Sequence, residues 1–151
     1  SRNPDFLYTI IPKEATKYRP IHMLKGDAIA ALTLEFLRRY ALDTRQTNII
    51  FDKVDGDSTI PSERVQSVAE MWLEKIKPSS PVPIKFKRKG DSKVITIRKA
   101  DVIGYYLAAL YLLGDIKRWP FRHRKVSFNR LEEALISFLG MDYDEYEEDI
   151  N

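Results

Sequence analysis

The chain has 151 residues, 44% hydrophobic and 31% charged, with a formal net charge of +3. A chain of that length can bury roughly 70% of the surface its unfolded form exposes, so it needs neither a disulfide nor a metal to fold. It has no cysteine, which excludes disulfides, cysteine-ligated zinc or iron–sulfur sites and thiol catalysis.

Taken from the N-terminus, Phe6-Leu7-Tyr8-Thr9-Ile10-Ile11 is aromatic and β-branched and stops at Pro12, so it reads as a strand or extended arm. Residues 12–20 are polar with a proline at each end and read as a loop. Gly26-Asp27 then signals the start of a helix, with Asp27 placed to accept from the free N–H groups of the first turn. Ile29, Leu32, Phe36, Leu37 and Tyr40 follow at helical spacing. Residues 48–51 are a short strand candidate, and residues 52–59 a turn-rich loop.

Pro61-Ser62 opens the clearest helix. Val65, Val68, Ala69, Trp72, Leu73 and Ile76 fall at i, i+3, i+4, i+7, i+8 and i+11, a single apolar stripe. Residues 78–83 hold three prolines and form the only linker-like stretch, a stiff connection or a subdomain junction within one domain over 1–151. Residues 84–88 and 94–98 then flank a Gly-containing turn and predict a hairpin. Alternation puts Ile84 and Phe86 on one face and Lys85 and Lys87 on the other.

Asp101 caps a helix over 102–113, apolar nearly all round, with Gly114 as its stop. Such a helix is either a central core element or a partner face. Asn129-Arg130-Leu131-Glu132 resembles a capping box and opens a last helix through Leu131, Leu135 and Phe138. The tail, 141–151, is acidic and either forms one more turn or two through Tyr143, Tyr146 and Ile150 or frays. No apolar run exceeds the 12 residues of 102–113, too few to span a bilayer. No N-terminal segment has the shape of a signal peptide, and the chain starts at Ser1 without a methionine, as a trimmed chain does. The expected location is intracellular, cytoplasmic or nuclear.

The fold class these elements imply is α+β: four to five helices packed on a small antiparallel sheet that contains the basic hairpin. Its expected core holds Phe36, Val68, Trp72, Leu73, Phe86, Ile95, Leu107, Leu110, Leu135 and Phe138. In element order, residues 27–98 loosely resemble a winged helix. That fold has two helices between its first and second strands, where only the helix from Ser62 is clear here.

Charge is unevenly spread. Residues 85–131 carry 13 Lys/Arg and 3 Asp/Glu, whereas residues 132–151 carry 8 Asp/Glu and no Lys/Arg. The basic block can attract a polyanion, and the acidic tail can repel one or cover the block. Two clusters stand out. The hairpin offers Lys85, Lys87, Arg88, Lys89 and Lys93, which can neutralise phosphates from one face of a ribbon. The arm Lys117-Arg118-Trp119-Pro120-Phe121-Arg122-His123-Arg124-Lys125 packs five Lys/Arg, a histidine and two aromatics into nine positions. Its charges suit phosphates; Trp119 and Phe121 either anchor the connection between two helices in the core or, exposed, stack on an unpaired base. Pro120 makes a continuous helix there unfavourable, so a loop or helix-terminal arm is expected.

Other chemistry has less to work with. Asp52, Asp55, Asp57 and Glu63 fall near calcium-loop spacing, but Val54 and Gly56 occupy positions that need ligands. Asp91-Ser92-Lys93, with Glu74 upstream, matches the short acidic-x-Lys pattern of metal-dependent nucleases. The two histidines, His22 and His123, have no nucleophile elbow or phosphate-cradling glycine loop to serve. His22, beside Pro20 and Ile21, reads as a turn or packing residue. No cofactor and no metal is expected. The leading expectation is a non-enzymatic nucleic-acid-binding domain, an accessory part of a larger nucleic-acid-processing assembly, binding DNA or RNA through the two basic clusters. The alternatives are a protein-interaction or oligomerisation module using the 102–113 helix and the acidic tail, and a metal-dependent nuclease.

Overall fold

A computed structural model describes residues 6–39, 49–51, 62–80, 84–86, 106–116 and 122–139. Their order is β1 (Phe6–Tyr8), a 3-10 helix (Lys13–Lys17), α1 (Ile21–Arg39), β2 (Ile49–Phe51), α2 (Ser62–Ile76), a 3-10 turn (Lys77–Ser79) and β3 (Ile84–Phe86). After these come α3, helical over 106–112, then β4 (His123–Lys125) and α4 (Phe128–Leu139).

α1 starts earlier than its sequence signals suggest. Pro20 stands just before it, where a missing N–H costs nothing, and its carbonyl accepts from the N–H groups of Met23 and Leu24 at 3.0 and 3.1 Å. Gly26 and Asp27, expected to open the helix, lie inside it and are buried. Asp27 is not a cap. It accepts from Arg19 Nε at 2.8 Å, Arg19 Nη2 at 3.2 Å and Trp72 Nε1 at 2.8 Å. Both charged side chains are 1% exposed. A buried pair of this kind is viable because the two Asp27 oxygens accept three hydrogen bonds, two of them from the guanidinium. Residues 12–20, read as a loop, wind one 3-10 helix instead, closed by Ala15 N–H donating to the Pro12 carbonyl at 3.1 Å.

α1 and α2 meet along a seam of small residues. A Cβ on Gly26 would sit 2.6 Å from Val68 Cβ and 3.0 Å from the backbone nitrogen of Ala69, so the position admits only glycine without movement. Gly26 faces Val68, and Asp27, next along, reaches Trp72. The two helices therefore run in the same direction. Phe128, at the start of α4, clusters with Leu24 and Ala28 of α1. Arg38, near the end of α1, lies 5.6 Å over the ring of Phe138 near the end of α4. So α4 runs the same way on the other flank of α1.

The main core gathers Ala30, Ala31 and Leu34 of α1, Val68, Trp72, Leu73 and Ile76 of α2, Ile84 of β3, and Val126, Leu131 and Leu135 around α4. All six stripe residues of α2 are buried, as their spacing requires. Of the other expected core residues, Leu107 and Leu135 are buried, while Phe36, Leu110 and Phe138 are half-buried. The side chains of Phe86 and Ile95 lie outside the described residues. Glu35, also buried, takes Arg39 Nε at 2.8 Å and the more distant Arg130 Nη2 at 3.4 Å.

The sheets correct the sequence reading most. β1 pairs with β4, and β2 with β3, and both pairings are parallel rather than antiparallel. The cause is topological. A helix crossing between two strands returns the chain to its starting end, so β2 and β3, joined through α2, run alike. β1 and β4 come from distant parts of the chain and no tight turn forces them to oppose. Mixed helix and strand content fits the coarse α+β class. Only 84–86 of the expected hairpin is described, and 94–98 lies outside. One helix separates β2 from β3 among the described residues, short of the two that the winged-helix resemblance requires. The possible junction at 78–83 is a 3-10 turn through Ser79, with 81–83 outside. No described helix is long and apolar enough to cross a membrane.

Two substitutions test the seam. Gly26→Ala forces Cβ into Val68 and the backbone of α2, and should cost about 1–3 kcal/mol in urea unfolding. Asp27→Ala strands the Arg19 guanidinium in the core, and should cost about 3–5 kcal/mol. Unchanged urea midpoints would contradict this packing.

Candidate nucleic-acid interface

The structure places the arm's last four residues on and beside β4. Register pairs Phe6 with His123, Leu7 with Arg124 and Tyr8 with Lys125. The junction is locked just beyond, where Val126 N–H donates to the Tyr8 carbonyl at 2.9 Å and Thr9 Oγ1 donates to the Val126 carbonyl at 2.7 Å. A strand at 123–125 replaces the expected loop or helix-terminal arm. Val126 anchors it, being buried in the main core directly after the basic run.

Side chains alternate along β4. His123 joins an aromatic group with Phe6, stacked at 5.8 Å and 23°, and with Tyr8, tilted at 6.0 Å and 49°. Lys125, on the same face, holds its ammonium 5.6 Å from the centre of the Tyr111 ring on α3. A cation over a tyrosine face is attracted by the ring quadrupole. Burial, and then the nearby Tyr111, raise the Tyr8 pKa above its ordinary value, so Tyr8 stays a neutral hydroxyl. Arg122 and Arg124 project to the other face. Arg122, Arg124 and Lys125 are all exposed, and His123 is half-buried.

The remaining expected residues divide as follows. Lys85 lies on β3, opposite Ile50. Lys87, Arg88, Lys89 and Lys93 of the hairpin, and Lys117, Arg118 and Trp119 of the arm, lie outside the described residues. So do Asp52, Asp55, Asp57, Asp91 and the acidic tail. Glu74, offered as a metal ligand, instead accepts from Lys77 Nζ at 2.7 Å. Among the described residues no three His, Cys, Asp or Glu side chains converge.

α3 differs from the expectation of a central core helix. Leu107 is buried, but Tyr106, Leu112 and Leu113 are 55%, 84% and 74% exposed. Its end is as expected. Gly114 takes φ +75°, its N–H donates to the Tyr111 carbonyl at 3.1 Å, and Asp115 N–H donates to the Leu110 carbonyl at 2.9 Å. That pair of bonds is the Schellman arrangement. Tyr111 was legible only as part of an apolar helix, because no sequence signal ties it to Lys125, 14 residues on.

A cleft of about 360 Å³ opens elsewhere, between the first 3-10 helix and α4. Glu14 and Glu132 on its lining give it the wrong sign for a polyanion. Comparison with known protein families, curated sequences and solved structures finds no match.

The exposure of α3 is measurable. Leu112→Ser and Leu113→Ser should each shift stability by no more than about 0.5 kcal/mol. Leu107→Ala, on the buried face of the same helix, should cost about 2–5 kcal/mol. Equal losses at all three positions in urea unfolding would show that the outer face is packed.

Proposed function

We propose that the protein is a non-enzymatic nucleic-acid-binding domain, acting as an accessory part of a larger assembly. Arg122, Arg124 and Lys125 contact phosphates in this reading, and the charges of Lys85, Lys87, Arg88, Lys89, Lys93, Lys117 and Arg118 add to the attraction of a polyanion. The observation that carries it is the exposure of three cations on and beside one three-residue strand, with an aromatic ring directly beneath one of them. Charges spread over both faces of a strand suit a backbone followed by its phosphates better than base reading, so little sequence preference is expected. Tyr111, 40% exposed, offers a stacking surface for an unpaired base.

A second reading, self-association through α3, draws on the exposed Leu112 and Leu113, since an exposed apolar pair beside a tyrosine suits a protein contact. Light scattering separates it: a mass rising above 17.6 kDa with concentration supports this reading, and a strict monomer removes it.

Titration of labelled single- and double-stranded oligonucleotides across salt concentrations tests the leading proposal. Affinity should fall steeply with salt. The triple variant Arg122→Gln, Arg124→Gln, Lys125→Gln should flatten the log–log slope by about two to three, the share of three phosphate contacts. No binding at about 50 mM salt, where such contacts are strongest, removes the proposal.

A further inference from the structure

Because α1 and α2 run in the same direction, their first turns lie side by side. Between them is an open cleft of about 320 Å³, lined by His22, Met23, Glu63, Arg64, Ser67 and Val68. We propose that this cleft binds a phosphate group, held by the Arg64 guanidinium, the Ser67 hydroxyl and the His22 imidazole.

The donor set carries the proposal. Arg64 and Ser67 are exposed and His22 is half-buried. No side-chain hydrogen bond or ion pair joins Arg64 or His22 to another described residue. A guanidinium fork and a hydroxyl from α2 and an imidazole from α1 line the cleft, which suits a tetrahedral anion with oxygens on several sides. The N–H groups of both first turns add positive potential at the same end.

One lining group opposes an anion, the Glu63 carboxylate. Arg64 and Arg19 are the charges that act on His22, and Glu63 shares the lining of the cleft. Asp27 is already engaged by Arg19. Burial lowers the His22 pKa, and Arg64 and then Arg19 lower it further. The charges that act on the imidazole are both cations, Arg64 and Arg19. None of these residues lies on β4, so the cleft stands or falls separately from the nucleic-acid reading.

The chain has two histidines, which makes proton NMR a clean probe. His123→Gln assigns the His22 ring resonance. Without phosphate, His22 should titrate below its ordinary value of 6.5. Inorganic phosphate, added at ionic strength matched with chloride, should raise that midpoint in a saturable way, because a bound dianion favours the imidazolium. Arg64→Gln should weaken phosphate about tenfold, the worth of one charge-assisted contact. Glu63→Gln should tighten it. Adenosine monophosphate identifies the source of the group: tighter binding than inorganic phosphate marks a nucleotide, and weaker binding marks free phosphate. An unmoved His22 midpoint, or a phosphate response that Arg64→Gln leaves intact, overturns the proposal.

Discussion

Gly26 and Asp27 fix how α1 lies on α2, and the rest of the molecule follows from that contact. The missing Cβ lets the helices close on Val68, and the next carboxylate ties the indole of Trp72 and the guanidinium of Arg19 into the seam. The two conditions select one register. Sliding α2 by a turn would put Val68 against a residue that has a Cβ and deprive Asp27 of the Trp72 indole N–H. The steric condition excludes neighbouring registers, and the electrostatic one makes the remaining register worth occupying.

Parallel helices impose a cost in topology. The chain must come back between them, and it does so through segments that contain β2, β3 and β4. Those strands therefore run alike within each pair, and hairpins are not required. The same geometry brings the first turns of α1 and α2 together, where their dipoles reinforce each other. It also leaves β4 pinned by Val126 on the core side, with its charges outward.

What the sequence disclosed follows a physical pattern. α2 was legible because its burial is one-sided, and all six stripe residues bury. Gly114 was legible because a helix stop at positive φ favours one residue type. Gly26-Asp27 was misread because glycine beside a cap-forming residue is a local turn signal, while its real partners are Val68 and Trp72, more than 40 positions away. Arg19 went unnoticed for the same reason, since nothing local marks an arginine as buried. The parallel pairing was missed because strand direction is set by crossovers and not by strand composition. Of the candidate site, the charges were evident from composition. The strand at 123–125 and the Lys125–Tyr111 contact were not, since both depend on distant chain segments.

Amide chemical-shift mapping with a short single-stranded oligonucleotide at low salt examines the basic surface most directly. Perturbations should gather at residues 122–125 and spread to Tyr111, through its contact with Lys125. A map with no change there, or with its changes confined to the acidic cleft around Glu14 and Glu132, would show that β4 is not the surface that meets nucleic acid.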